Sequence, residues 1–476
     1  MTFLSDELVF FIDLYLNLIL GYAILIMSSY LILAYLSAKE LRDYLKKNSF
    51  VDYDVLLTSE FAPKLSLIAP AYNEGFTIEE NVKSLLSLNY NNYQVIVVND
   101  GSKDDSMEIL IKTYDLELTE LEVHSKIETQ KIRGLYRSRN AAFKKLIVVD
   151  KDNGGKADAL NAGLNIAEYP YVVCIDVDCI LDKDALLKLA KPFLESYGKR
   201  IIATGGVVRI ANQCVIKNGR MVEVNVPDRL LSRIQVLEYL RAFLLGRMAW
   251  GRLDGLLLIS GAFGAFDKEI ALLAGGYSTK TVGEDMELVV RMRRYMLEKK
   301  LPYSVSYIPD PLCWTEAPED FKIFKKQRSR WMRGTIETLS FHKKMCLNPK
   351  YKLLGMISIP YWTLFEFLAP GIEFIGVLTT IVFLVLGLLN WHFFFLLVLF
   401  VYTFAIFFSV IALYCEERTY HKYPKQADFL KLLLAAFIEP FYFHPLTVYA
   451  ALVGYKDKVM GTNGWGEMTR KGFTKK

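Results

Sequence analysis

The sequence predicts an α/β domain with a largely parallel sheet, set between apolar segments that cross a membrane. Three observations carry that expectation. Val9 to Leu36 is apolar almost throughout, interrupted by Asp13 and Asn17. Between residues 64 and 335, short apolar runs of strand length alternate with helical stretches. From residue 353 the chain turns apolar again, with two long runs, Gly371–Leu389 and Phe393–Cys415, joined by Asn390-Trp391-His392. Strands that alternate with helices imply parallel pairing. An apolar stretch of about 20 residues suffices to cross a bilayer.

Composition agrees. Of 476 residues, 53% are hydrophobic, and 28 Tyr and 30 Phe suit a chain that meets lipid. Mean hydropathy is +0.22, high for a soluble protein. A net charge of +5 is too small to argue for nucleic acid as a partner. Six scattered cysteines form no Cys-x-x-Cys pair, so neither a zinc site nor a disulfide framework is indicated.

The first apolar run lacks a small-residue cleavage site after it and reads as an anchor. Lys39, Arg42, Lys46 and Lys47 follow it, whereas Asp6 and Glu7 precede it. The positive-inside rule then puts the N-terminus outside and residues from Lys39 in the cytosol. Leu65–Ala69 reads as a strand and 70–75 as a loop. Thr77 is placed to cap a helix running to Leu88. Tyr93–Val98 and Leu146–Val149 are further strands, and Ala157–Ala167 is a helix. Residues 112–142 break the rhythm and read as a surface excursion. Cys214 to Val224 reads as a hairpin with Asn218-Gly219 as its turn. Near the C-terminus, Phe429–Val453 is long enough to span, but Glu439, Pro440, His444 and Pro445 interrupt it. An even number of spans after the soluble domain keeps the basic tail in the cytosol. That favours two C-terminal spans, with 429–453 bent or interfacial.

The chemistry gathers at strand ends. Tyr171–Ile175 is a strand, and Asp176-Val-Asp178 follows it, delivering two carboxylates to the sheet edge where open α/β sheets bind ligands. Hard carboxylate oxygens suit Mg²⁺ or Mn²⁺. Ala71-Tyr72-Asn-Glu74, Asp100-Gly-Ser and Gly154-Gly-Lys156-Ala-Asp158 are expected on the same edge. Asp100 is a candidate acceptor for a pyrimidine imide N–H. Lys156, at a helix start, suits a diphosphate. Asp178 suits a metal that neutralises that diphosphate. Each motif alone also reads as a turn or a solvated loop; their joint order is what argues for a site. Small residues at Ser260-Gly261 let a ligand approach the backbone. Glu284-Asp285 opens a helix, either as a cap or as a general base acting on an acceptor hydroxyl. Gln327-Arg328-Ser-Arg330-Trp331 reads either as an interfacial basic helix or as a roof, with arginines on phosphate and an indole on a sugar ring.

This ordered set resembles the family-2 glycosyltransferases of the processive membrane type, similar to cellulose, chitin, hyaluronan and poly-N-acetylglucosamine synthases. The resemblance covers residues 64–335 and the membrane layout on both sides. It implies a GT-A fold, a UDP-sugar donor and inversion at the anomeric carbon. It assigns metal and UDP to Asp176 and Asp178, and the base to Asp285. It assigns diphosphate and acceptor binding to Gln327, Arg330 and Trp331. The expected division is an anchor at 1–38, a cytosolic catalytic domain at 39–335, interfacial helices at 336–370, a transmembrane hairpin at 371–415, and an interfacial or bent segment with a basic tail at 416–476. The expected location is the plasma (inner) membrane. Cellulose- and hyaluronan-type synthases have more spans than three, which leaves room for a homo-oligomer or an export partner. The rival readings are a transferase acting on a membrane lipid, and a catalytically dead scaffold or transporter. Glu366 and Glu373 sit about two helical turns apart and are candidates for a glycan path, with Pro370 and Gly371 between them.

Overall fold

A computed structural model describes residues 6–119, 125–177, 179–195, 198–217 and 219–461. Asp178, Asn218 and the tail from 462 therefore lie outside the described residues.

Among the described residues, twelve strands form between the first and last helices: β1 (Leu65–Ala71), β2 (Tyr93–Asp100), β3 (Leu116–Leu118), β4 (Ile132–Ser138), β5 (Leu146–Lys151), β6 (Tyr171–Ile175), β7 (Ile180–Leu181), β8 (Arg200–Ile210), β9 (Val215–Lys217), β10 (Arg220–Glu223), β11 (Phe263–Asp267) and β12 (Tyr303–Thr315). Ten of them make one sheet in the order β3-β4-β5-β2-β1-β6-β11-β8-β12-β7. The central run β5-β2-β1-β6 is parallel. β4 and β11 flank it in the antiparallel sense. The parallel strands are buried on both faces, as β2 is at every residue, and that explains their unbroken apolar runs. Helix Lys156–Ile166 presses onto β1 at Gly163, where a Cβ would stand 2.2 Å from Ile68 Cγ2. Only glycine permits that approach.

Two expectations change at the level of elements. Residues 112–142 are not an excursion: β3 and β4 lie within them and extend the sheet beyond β5. Their partial burial, with Arg133 and Arg137 among the apolar residues of β4, masked their place in the sheet. Thr77 precedes helix Ile78–Leu86 but makes no capping bond; its hydroxyl donates to Glu74 Oε2 at 3.1 Å instead. The helix that carries the anchor continues beyond the apolar run, from Asp6 to Asn48. Its last turns lie on the α/β domain through Glu40–Arg252 (2.6 Å), Tyr44 to Asp310 (2.5 Å) and Lys47–Glu195 (2.9 Å). The hairpin forms as expected, β9 against β10, with Gly219 at φ +69°. None of the six cysteines, all among the described residues, is in a disulfide.

Among the described residues, four helices are long and apolar enough to cross a membrane: Phe10–Asn48, Leu354–Val385, Trp391–Thr419 and Gln426–Val459. The second is interrupted at Leu368, just ahead of Pro370, after π-helical turns at Leu354–Ser358 and Thr363–Phe367. The fourth is one continuous helical element despite Pro440 and Pro445. It touches the α/β domain along its whole length. Lys425–Glu223 (2.6 Å) and Lys431–Asp228 (3.4 Å) hold its start, Arg241 pairs with Glu439 at its middle, and Asp457 accepts from Ser329 (2.6 Å) at its end. Phe429, Leu430, Leu434, Phe437 and Phe441 face away. Trp391–Thr419 behaves differently: its buried residues all fall between Phe408 and Glu416, where Glu416 pairs with Arg209.

Candidate active site

The C-terminal edges of β1, β2, β5 and β6 bring the strand-end motifs together, and they sort into two groups. The first is sealed. Lys151, at the end of β5, is wholly buried, 2.6 Å from Asp100 and 2.5 Å from Asp158. Asp100 also accepts bonds from the backbone N–H groups of Gly154 (3.0 Å) and Gly155 (2.8 Å), and Asp158 from that of Gln130 (3.1 Å). The Asp100 carboxylate, a candidate for a pyrimidine imide, is therefore engaged in holding the Asp152–Gly155 loop. Lys151 escaped the sequence reading; its one signal was a lysine closing an apolar strand run. Beside this group, Asn73, at φ +56°, and Glu74 donate their backbone N–H groups to Ser102 and Ser106 at 3.0 Å each. Ala71 is buried and Tyr72 half exposed on the same loop.

The second group is open. Gly155, at φ +85°, releases the chain into helix Lys156–Ile166, so that Lys156 lies in its first turn. Its ammonium pairs with Asp176, stands 3.7 Å from Glu284 Oε1, and donates to the Gly261 carbonyl at 3.4 Å. Burial works against the Lys156 charge, but Asp176 and Glu284 outweigh it and raise its pKa. Burial pushes Glu284 up to about 7, opposed by Lys156 and reinforced by Asp285. Glu284 Oε2 is buried with no hydrogen-bond partner. Asp285 accepts from the backbone N–H of Gly261 and of Met286, each at 2.8 Å. A Cβ at 261 would meet Asp285 Oδ2 at 2.7 Å, so glycine there lets the carboxylate close on the backbone without shifting. Ser260 accepts from the Ala262 N–H at 3.3 Å.

Helix Phe321–Phe341 closes the group from above. It crosses the Glu284-Asp285 turn where Gly283 and Gly334 touch: a Cβ on either would stand 2.7 Å from the other's Cα. Glu337 on this helix accepts from the Val282 N–H at 3.0 Å and pairs with Lys458 of the last helix at 2.8 Å. Sequence reasoning missed this buttress, because two isolated glycines and one glutamate carry no motif. Gln327, Arg330 and Trp331 face inward with Lys156, Asp176, Ser260, Gly261, Glu284 and Asp285 around one cavity of about 880 Å³. Arg328 lines the same cavity, but it is buried and spends Nη2 on Glu238 at 2.5 Å, while its Nε has no hydrogen-bond partner. Ala71, Tyr72, Glu74, Asp100 and Asp158 share the edge but do not line this cavity. The cavity continues past Trp331 to Ile26, Tyr30, Tyr361, Glu366, Phe408 and Glu373 on the apolar helices.

No cluster of three metal-ligating side chains occurs among the described residues. Asp176 opens onto the cavity with 27% of its side chain exposed. One or two carboxylates are what Mg²⁺ commonly uses beside substrate phosphates, so this donor set, with Asp178 two residues on, fits a hard divalent ion.

The comparisons agree with this geometry. The description "Glycosyl transferase family group 2" matches residues 171–410, and "Glycosyl transferase family 2" matches 66–146 and 124–213. The chain belongs to the family-2 glycosyltransferases. It is 28% identical over 278 residues to a poly-β-1,6-N-acetyl-D-glucosamine synthase of Staphylococcus epidermidis, covering 58% of this chain and 55% of that protein. It is 29% identical over 304 residues to the synthase of the same name from Staphylococcus aureus strain COL, covering 63% and 60%. The match thus spans little more than half of those relatives. In fold it is similar to the mannosyltransferase PcManGT from Pyrobaculum calidifontis, solved with GDP-Man and Mn²⁺, at TM-score 0.50 and 15% identity, covering 93% of this chain and 99% of that one. The GT-A fold is therefore established, and the enzyme is a glycosyltransferase homologous to a polysaccharide synthase.

Proposed function

We propose that this chain is an inverting transferase that extends a β-linked polysaccharide from a UDP-sugar at the membrane. The supporting observation is the single cavity that joins the Lys156–Asp176–Glu284–Asp285 cluster to the apolar helices. Asp285, oriented by two backbone N–H groups, takes the proton of an acceptor hydroxyl. That oxygen attacks the anomeric carbon opposite the departing UDP, so an α-linked donor yields a β-linked product. Lys156 and Arg330 supply positive charge to the diphosphate, and Gln327 brings an unpartnered buried carbonyl oxygen to the wall. A divalent cation held by Asp176 and Asp178 would offset the charge that develops on the leaving diphosphate. Ser260, Gly261 and Trp331 border the acceptor.

The membrane layout supports the same reading. A spanning helix can rest only one end on a cytosolic domain, as Trp391–Thr419 does. Gln426–Val459 rests both ends and its middle there, with an apolar face outward, which suits a helix lying in the interface. Three spans then keep the tail on the catalytic side, in the cytosol of a cell bounded by a plasma (inner) membrane. Glu366 and Glu373 line the membrane-side end of the cavity, where Glu373 meets His444 at 2.7 Å. A growing glycan would pass there. One observation favours the lipid-acceptor reading: Ile26, Tyr30 and Leu33 give that end an apolar wall.

The test is the purified full chain in lipid nanodiscs with a panel of UDP-sugars, UDP-N-acetylglucosamine first. The polymerase reading expects UDP release and a ladder of products. A single sugar on lipid supports the second reading, and no UDP release from any donor removes both.

A further inference from the structure

Arg328 and Glu238 are unused by the mechanism above, yet they lie beside its acceptor wall. Arg328 sits on helix Phe321–Phe341 one turn before Trp331 and is only 6% exposed. Its guanidinium carbon lies 4.0 Å from the centroid of the Trp331 ring and 4.9 Å from that of Phe324. Its Nη2 donates to Glu238 Oε2 at 2.5 Å and reaches Gln235 Oε1 at 3.5 Å. Glu238 and Gln235 belong to helix Leu230–Leu240, and Gln235 is itself fixed by a 2.8 Å bond to the Pro318 carbonyl. Trp331 remains 40% exposed toward the cavity.

A guanidinium on one face of an indole leaves the other face for a ligand. It also sets the tilt of the ring, because Arg stacks as a flat plate. The plate is in turn held by a carboxylate from a different helix. We propose that Glu238 and Arg328 are positioning residues that hold the Trp331 indole against the acceptor sugar, acting on acceptor binding and not on the UDP diphosphate. This rests on the proposed transfer to a glycan acceptor. It makes the second residue of the Gln-Arg-Ser-Arg-Trp stretch a support for the fifth.

Two readouts test it. The first is acrylamide quenching of Trp331 fluorescence, taken as the difference between the parent protein and Trp331→Phe. It does not depend on turnover. Arg328→Lys keeps the charge beside Glu238 but loses the plate, and Glu238→Gln loosens the plate. Both should raise Trp331 quenching. The second readout uses UDP-N-acetylglucosamine as donor and a β-linked N-acetylglucosamine tetramer as acceptor. Either variant should raise the acceptor KM about tenfold, the scale of one desolvated cation–π contact, while donor KM moves less than about twofold. The double variant should be no worse than the worse single, because both act through one ring. Unchanged quenching overturns the proposal whatever the activity. So does a donor KM that rises while the acceptor KM stays, which would return Arg328 to the diphosphate. Quenching that responds in a protein inactive with every donor would support the support of Trp331 and overturn the transfer reading alone.

Discussion

Two clusters on one sheet edge use the same parts and come out differently. Lys151 lies between Asp100 and Asp158; Lys156 lies between Asp176 and Glu284. In the first, the lysine is wholly buried, and loop N–H groups add to the carboxylates' bonds. In the second, the groups face a cavity and Glu284 keeps a buried oxygen without a partner. A satisfied buried ion group fixes a loop; an incompletely satisfied one beside a cavity is poised to meet a ligand. Five positions of chain separate the sealed lysine from the one at the cavity.

The largest effect that sharpens this contrast is on rate. Asp285→Asn should lower turnover about 10²–10⁴-fold, the usual span for a general base, while UDP binding measured by calorimetry stays near native. A near-native rate would leave Asp285 as a helix-start residue. Metal removal comes next: excess EDTA should abolish turnover, and Mn²⁺ or Mg²⁺ should restore it. Full activity in EDTA would remove the cation from the site.

Stability separates the two lysines. Lys151→Met strands two buried carboxylates and should cost about 3–5 kcal/mol, read as a large fall in Tm. Lys156→Met leaves its carboxylates at a cavity wall, so its Tm should fall far less while activity is lost. Equal Tm shifts would erase the distinction. The smallest effect concerns pH. Glu284 is held near 7, so it takes up a proton as pH falls through that value and no longer offsets the Lys156 charge. A kcat/KM profile should show a transition near pH 7 that Glu284→Gln lacks; an identical profile would sever Glu284 from the reaction.

Much of this was legible in the sequence because it is local. Strand-end apolar runs gave β1, β2, β5 and β6, and the carboxylates after them followed. Gly261 and Asp285 could be named separately, although not as partners. What stayed hidden is long-range. The sealing of Asp100 needs Lys151, 51 positions away, and the Gly283–Gly334 crossing needs two helices already packed. Arg328 looked like its neighbour Arg330, but positions two apart on a helix face different directions, and only the fold shows that one of them faces Glu238. Pro440 and Pro445 suggested a break in a helix that packing against Phe324, Ser329 and Glu337 carries through.

The most direct measurement is calorimetric titration of UDP, with Mn²⁺ present, into the parent protein, Lys156→Met and Lys151→Arg. The account predicts that Lys156→Met weakens UDP binding by about tenfold or more, the scale of a charge-assisted contact to phosphate, while Lys151→Arg binds as the parent does. Unchanged UDP affinity in Lys156→Met would contradict it.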